Sequence, residues 1–339
     1  MTTLGLIGFG YWGPNYARIL SRLQGVRLKW ICDINEDLLK IAQTDFPKIN
    51  VSTNYLEVLK DKTVDAVVIA TPVTTHAALV KSALEYGKHV LVEKPLTTSS
   101  KLAEQLFATA SRHKLRLFVG HTYLFHPAVI KLKSLLKKQL LGKPLFFICQ
   151  RTNFGPIRKD VNVLWDLASH DISTLLFLTG SEVVSISASG TNYIDPDIAD
   201  LANINLIFAN GTFASILVSW LAPVKVRQVT VVGEQKMAVF DDTSISKSLQ
   251  VVDKAAITFK PGQPVDFINF KKNFAYVSKR QVIRMEKREP LGMQIKAFIK
   301  SLQKPNSFFV SSRHVCDVIK VLEKADQALL SGKTVEMRV

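Results

Sequence analysis

The sequence predicts an α/β protein: a doubly wound parallel sheet at the N-terminus, then a second α/β region built on antiparallel hairpins. Three observations carry this. Five short apolar runs alternate with helical segments up to residue 120. The first strand-to-helix turn reads GFGYWG. Beyond residue 200, strand-like runs meet at tight-turn dipeptides such as Asn210-Gly211.

The apolar runs are LGLIG (4–8), LKWICDI (28–34), DAVVIATP (65–72), HVLVEKP (89–95) and RLFVG (116–120). Between them lie NYARILSRL, EDLLKIAQ, AALVKSALEYG and SSKLAEQLFATASRH, all with helical spacing. Strand and helix alternate, so parallel strands joined by right-handed crossovers are expected. Strands that are apolar nearly throughout fit a sheet covered on both faces.

The first turn is G-x-G-x-x-G, with Gly8, Gly10 and Gly13 enclosing Phe9, Tyr11 and Trp12. Gly8 permits the tight turn, Gly10 lets a pyrophosphate approach the backbone, and Gly13 lets the helix pack close to the strand. The helix start then offers unpaired N–H groups to phosphates. The second strand ends in Asp33, about 20 residues on, where an acid meets the ribose 2′-hydroxyl of a dinucleotide. An acid there repels a 2′-phosphate, and the next residues, Ile34, Asn35 and Glu36, include no arginine, so NAD is expected over NADP. The plainer alternative is a glycine turn beside a surface aspartate.

Ligands of an open parallel sheet sit beyond the carboxyl ends of its strands. Thr71, Pro72 and His76 follow the third run, and Glu93 and Lys94 end the fourth, so all five are expected at the cofactor crevice. A helix-start histidine and a surface lysine are the alternatives. Pro95 argues against the latter, because proline restricts the residue before it.

In the second half, ANINLIFANGTFASILVSW (202–220) reads as two strands around a hairpin turn. RQVTVVGEQKMAVFDD (227–242) repeats that grammar. SSRHVCDVIKVLEKADQALLSG has a serine start and a glycine stop, as a last helix should.

The 339 residues are long for one simple core, so two domains are expected. Cys32, Cys149 and Cys316 are odd in number and widely spaced, which fits neither a disulfide framework nor a zinc pattern. No metal is expected. There is no secretory pattern and no apolar run near the roughly 20 residues that span a bilayer, so a cytoplasmic protein away from membranes is expected. The net charge of +16 raises nucleic acid as a partner, but the basic residues are dispersed. The densest patches, 131–138 and 271–288, read as solvated faces, and an enzyme of anionic ligands gives the same charge count.

The motifs GFGYWG, ATPVTTH, VEKP and DLASHD together resemble the glucose–fructose oxidoreductase, inositol dehydrogenase and rhizopine catabolism family (Gfo/Idh/MocA) along essentially the whole chain. GYWGPN with GPIRKDVNVLWDLASHDIS (155–173) looks most like members acting on nucleotide-linked N-acetylhexosamines, such as UDP-N-acetylglucosamine 3-dehydrogenases. The resemblance implies an NAD-binding Rossmann domain over 1–122 and a substrate and oligomerisation domain with a large, open, mostly antiparallel sheet over 123–310. It implies a C-terminal helix over 311–339 packing back on the first domain, and a homodimer or homotetramer. Lys94 of E-K-P becomes a catalytic residue beside the nicotinamide, its bond to Pro95 commonly cis.

The family pattern D-x-G-x-H-x-x-D matches at Asp166 and His170, while Ala168 replaces the glycine and Ser173 the last acid. Four residues apart on a helix, Asp166 and His170 share a face. His170 suits the alcohol proton, since imidazole titrates near neutrality, and Asp166 the sugar hydroxyl. Tyr123 and His126 of GHTYLFHP and Arg158 of GPIRKD are further substrate contacts, with packing residues and a surface cation as alternatives. Gln294 stands where relatives often carry glutamate. The function so implied is oxidation of a ring hydroxyl, at C3, of a nucleotide-linked N-acetylhexosamine. A polyol or inositol dehydrogenase, a sugar ketoreductase and an NAD-binding sensor are the alternatives.

Overall fold

The computed structural model describes residues 1–244, 248–253, 280–286, 288–304 and 310–337. Of the basic patch at 271–288, residues 271–279 and 287 lie outside them. Contacts divide the chain into two units, Met1–His126 with Arg288–Glu323, and Pro127–Lys287 with Lys324–Val339.

The first unit is built on a parallel sheet of β1 (Thr2–Ile7), β2 (Val26–Cys32), β3 (Asn50–Ser52), β4 (Ala66–Ile69), β5 (His89–Glu93) and β6 (Leu117–Gly120). The strand order is β3-β2-β1-β4-β5-β6, which reverses between β1 and β4 and makes the crevice for a dinucleotide there. Every residue of β4 and β6 is buried, as apolar strands covered on both faces should be. The connecting helices are α1 (Gly13–Leu20), α2 (Glu36–Asp45), α3 (Tyr55–Lys60), α4 (Val73–Glu85) and α5 (Ser100–Arg112). Side chains begin three of them: Asn35 accepts from Asp37 N, Asn54 from Leu56 N and Ser99 from Leu102 N.

The second unit carries α6 (Pro127–Lys137), β7 (Pro144–Phe154), α7 (Ser169–Thr179), β8 (Val183–Thr191), β9 (Leu201–Phe208), β10 (Phe213–Ser219), β11 (Leu221–Gly233), β12 (Lys236–Asp241), β13 (Leu249–Asp253) and β14 (Arg280–Val282). These strands and β15 (Val335–Glu336) form one sheet in the order β14-β13-β12-β11-β7-β10-β9-β8-β15. Among the described residues of this sheet, only β7 and β10 pair in parallel. The β9–β10 hairpin turns at Asn210-Gly211, with Gly211 at φ +83° and the Asn210 side chain accepting from Thr212 N.

Two further helices follow among the described residues. α8 (Pro290–Gln303) belongs to the first unit, although its sequence lies within the stretch expected for the second domain. It buries Leu291, Gln294, Ile295 and Phe298, the last edge-on to Phe118 at 5.8 Å between ring centroids. α9 (Ser312–Ser331) starts where the Ser311 hydroxyl accepts from His314 N and stops before Gly332, at φ +64°. The carboxylate of its Glu323 accepts from the Ser100 backbone N–H, at 3.0 Å, and from the Ser100 hydroxyl. Among the described residues, no helix is long and apolar enough to cross a membrane, and no cluster of His, Cys, Asp and Glu could hold a metal.

Candidate active site

The turn from β1 into α1 is shaped by its glycines. Gly8 has φ +97°, and a Cβ there would lie 2.7 Å from the Ala70 backbone. A Cβ on Gly13 would collide with the Gly8 carbonyl oxygen, so Gly13 is what lets α1 start against β1. At Gly10 a Cβ would meet nothing within 4 Å. The backbone there faces open space, flanked by Tyr11, 83% exposed, and Trp12. No side chain caps the start of α1; Pro14 brings no N–H and Asn15 N already donates to the Trp12 carbonyl at 3.0 Å, which leaves the Gly13 N–H for an anion. The Phe9 ring is buried against Phe46, and its backbone N–H donates to Asp33 at 2.6 Å. The other Asp33 oxygen accepts from Asn35 N at 2.9 Å, so this carboxylate is fixed at the end of β2. Open backbone at Gly10, a free helix start and an acid at the end of β2 together fit NAD.

Beyond β4, Thr71 is half-buried and Pro72 exposed. His76 is 1% exposed. Its ring nitrogens lie 2.8 Å from the Pro95 carbonyl and 2.8 Å from the Thr71 carbonyl, so the imidazole ties the end of β4 to the loop after β5. In that loop the Lys94–Pro95 bond is cis and the Lys94 side chain is half-buried. The Glu93 side chain turns inward. It accepts from Tyr16 Oη at 2.7 Å and from the Lys94 backbone N–H at 3.1 Å. Burial raises the Glu93 pKa, with Tyr16, Lys94 and its backbone N–H opposing; burial and then the Glu93 charge raise that of Tyr16 well above its ordinary value. Both His76 and Glu93 therefore brace the crevice wall from inside, where the sequence suggested side chains turned to the cofactor.

After β6 the chain makes a 3-10 turn over Thr122–Phe125, which holds Tyr123 and leads to His126, both half-buried. His121, just before it, is 4% exposed.

In the second unit, Asp166 lies in a π-helical turn, Leu164–Ala168, that runs into α7. The sequence suggested a regular α-helix, but the wider turn carries the acid, and such turns are frequent at functional sites. Asn162 starts the turn by accepting from Leu164 N at 3.1 Å. Trp220 Nε1 donates to one Asp166 oxygen at 3.0 Å and Arg158 to the other at 3.4 Å. Arg158 also pairs with Asp160, its Nε at 2.8 Å and an Nη at 2.6 Å. With its guanidinium engaged by both carboxylates, Arg158 orients Asp166 and is poorly placed for the substrate contact expected of it. His170 is half-buried in the first turn of α7. The next residue, Asp171, is fully buried and pairs with Arg151 of β7 at 2.8 and 3.0 Å. This ion pair anchors the helix that presents His170. Ser173 and Ala168 are buried packing residues.

Four residues of these constellations were not singled out in the sequence: Tyr16, Trp220, Arg151 and Asp160. Tyr16 reads as an ordinary apolar position of α1, and Trp220 as a strand end. The hydroxyl and indole N–H become informative only through partners 77 and 54 positions away.

Residues 2–121 match the oxidoreductase family described by an NAD-binding Rossmann fold, GFO_IDH_MocA, and residues 129–239 match the GFO/IDH/MocA C-terminal domain. The chain is 28% identical over 333 residues to a UDP-N-acetylglucosamine 3-dehydrogenase of Acidithiobacillus ferrooxidans, covering 96% of this chain and 97% of that protein. It is 29% identical over 222 residues to an uncharacterized oxidoreductase, YrbE, of Bacillus subtilis, covering 62% of this chain and 65% of that one. Inositol 2-dehydrogenase 4 of Saccharopolyspora erythraea is 34% identical over 188 residues, so the match spans 56% of that enzyme. The crystal structure of GenD2 from gentamicin A biosynthesis, in complex with NAD, superposes with a TM-score of 0.84 at 22% identity, over 100% of this chain and 97% of that one.

Proposed function

Since the chain belongs to the Gfo/Idh/MocA oxidoreductase family, we propose that it is a dehydrogenase that oxidises one ring hydroxyl, at C3, of a nucleotide-linked N-acetylhexosamine to a ketone, with NAD in preference to NADP. The observation that carries the substrate class is the likeness to a UDP-N-acetylglucosamine 3-dehydrogenase through both domains, over 97% of that protein. The match to an inositol dehydrogenase covers little more than half of its length.

Held by the Gly8–Gly13 turn and Asp33, NAD would supply the hydride acceptor for the carbon that becomes the ketone. The Lys94 ammonium binds the reacting oxygen and stabilises the charge that develops on it. His170 takes the alcohol proton. Asp166, held by Trp220 and Arg158, accepts a hydrogen bond from a sugar hydroxyl and turns the ring for transfer. Tyr123 and His126 contribute further substrate contacts. Thr71, Pro72 and the exposed Tyr11 and Trp12 line the cofactor.

The test is reduction of NAD or NADP, followed by absorbance, with UDP-N-acetylhexosamines, other UDP-sugars, myo-inositol and free polyols. Reduction of NAD with a UDP-N-acetylhexosamine as the best substrate is expected. A preference for myo-inositol would select the second reading, an inositol dehydrogenase, which the higher local identity of that relative supports. With the best substrate, Lys94→Ala and His170→Ala should each lose at least about 100-fold in kcat while binding NAD normally. Asp166→Ala should mainly raise KM.

A further inference from the structure

Beneath the Glu93–Lys94–Pro95 loop, the first unit holds a chain of hydrogen bonds that converge on the Glu93 carboxylate. Thr122 Oγ1 donates to Gln294 Oε1 at 2.8 Å, and Gln294 Nε2 donates to Tyr16 Oη at 3.1 Å. Tyr16 Oη donates to Glu93 Oε1 at 2.7 Å, and the Lys94 backbone N–H donates to Glu93 Oε2 at 3.1 Å. Tyr16 and Gln294 are both 0% exposed and Glu93 is 8% exposed. Gly120 makes room for the cluster: a Cβ there would lie 3.4 Å from both Gln294 Nε2 and Glu93 Oε2.

The direction of the chain follows from what each group can do. An ionised Glu93 only accepts, so Tyr16 gives it its single proton. The Tyr16 oxygen is then left to accept, and the residue at 294 must supply a donor there. The same residue accepts from Thr122 at its other end, at 2.8 Å, the Gly120 carbonyl lying farther from that hydroxyl at 3.4 Å. An amide does both, whereas a carboxylate has no proton to give.

We propose that Gln294 is a positioning residue: its amide fixes the Tyr16–Glu93 hydrogen bond and, through Glu93, the backbone that presents Lys94 to the substrate. This rests on the reading of Lys94 given above. The groups around the amide come from four elements. α1 brings Tyr16, with Arg18 paired to Glu289 at the exposed edge of the same helix contact. β5 brings Glu93 and leads to Lys94, the 3-10 turn brings Thr122 and Tyr123, and β6 leads to His121.

Gln294→Glu tests this, because it preserves shape and replaces the amide N–H by a group that donates only when protonated. Burial raises the pKa of a carboxyl, so the new acid is protonated on the acid side of its titration and ionised above it. We expect the kcat of Gln294→Glu to fall about tenfold below wild type at about pH 8.5 and to approach wild type at about pH 6, with KM for the sugar little changed. In a Tyr16→Phe background the same substitution should show no pH-dependent difference, since the acceptor of the N–H is gone. A ratio of Gln294→Glu to wild type that is constant with pH would overturn the proposal.

A second measurement needs no substrate. Amide hydrogen exchange of the NAD-bound protein should quicken at Lys94 in Gln294→Glu at alkaline pH and in Tyr16→Phe, with β1 and β4 unchanged. Unchanged exchange at Lys94 in both variants would overturn the positioning role. If wild type reduces no cofactor with any sugar, the dehydrogenase reading fails, and the exchange result still decides whether Gln294 holds the loop.

Discussion

His121 and His314 stand ring to ring in the first unit, centroids 5.7 Å apart and planes at 90°. Both nitrogens of His121 lack a hydrogen-bond partner among the described residues. Burial, and then the neighbouring His314 and Lys94 charges, hold its pKa well below that of a free imidazole. Burial alone pushes His314 down to about 4. Each ring is therefore neutral in the folded protein while the unfolded chain takes up a proton near pH 6.5. More protons bound in the unfolded state means that stability rises with pH across this window and is lost as pH falls from about 6.5 towards 4. The shift of His314 corresponds to an upper bound of about 3 kcal/mol, before a discount for its partial exposure. Denaturant unfolding of wild type and His314→Phe should show this: the variant, with no proton to take up at 314, should gain roughly 2 kcal/mol on wild type between about pH 7 and 4. At this scale the sequence is readable where backbone chemistry constrains a side chain, as Pro95 does Lys94. It is silent on Tyr16, and it marks Gln294 only as a departure from relatives, because their mutual bond spans 278 positions.

The element that carries the cofactor reading is the β1–α1 turn, and its glycines separate packing from binding. Gly13→Ala drives a Cβ into the Gly8 carbonyl oxygen, so it should cost about 1–3 kcal/mol of stability and weaken NAD together. Gly10→Ala meets nothing within 4 Å, so thermal unfolding should be nearly unchanged while the methyl group keeps phosphates from the backbone and weakens NAD at least about tenfold. Equal losses of stability in the two variants would contradict this division. Elements with a strong period or punctuation, such as the Asn210-Gly211 hairpin and the Ser311-to-Gly332 helix, are legible from sequence. The three-residue β3, the six-residue α3 and the π-turn around Asp166 are not. The first two are too short to display a period. The third looks like α-helix in sequence because the extra residue per turn is a backbone choice made by packing.

Across the outer face of the second unit's sheet, registers align Ile207 with Phe213, Phe213 with Phe146, Phe146 with Val232 and Val232 with Met237. Ile207 is 46% and Phe213 41% exposed, and Ile148 beside them is 50% exposed. An apolar row across five strands is a surface that a second copy of the chain would cover. Light scattering should give a multiple of 37.8 kDa for wild type, and Phe213→Asp with Ile148→Asp should return the mass to 37.8 kDa; a wild-type mass of 37.8 kDa would contradict the interface. In the basic patch at 131–138, Lys131, Lys137 and Lys138 are exposed. Lys133 there is used in packing, its Nζ 3.1 Å from the Leu178 carbonyl and above the Phe177 ring. For the molecule as a whole, the chemistry proposed above is hydride transfer from C3 of a nucleotide-linked N-acetylhexosamine. Its most direct test is turnover of UDP-N-acetylglucosamine carrying deuterium at C3 alone. Deuterium is expected in the reduced NAD, with a primary isotope effect on kcat/KM; reduced NAD without deuterium would rule out transfer from C3.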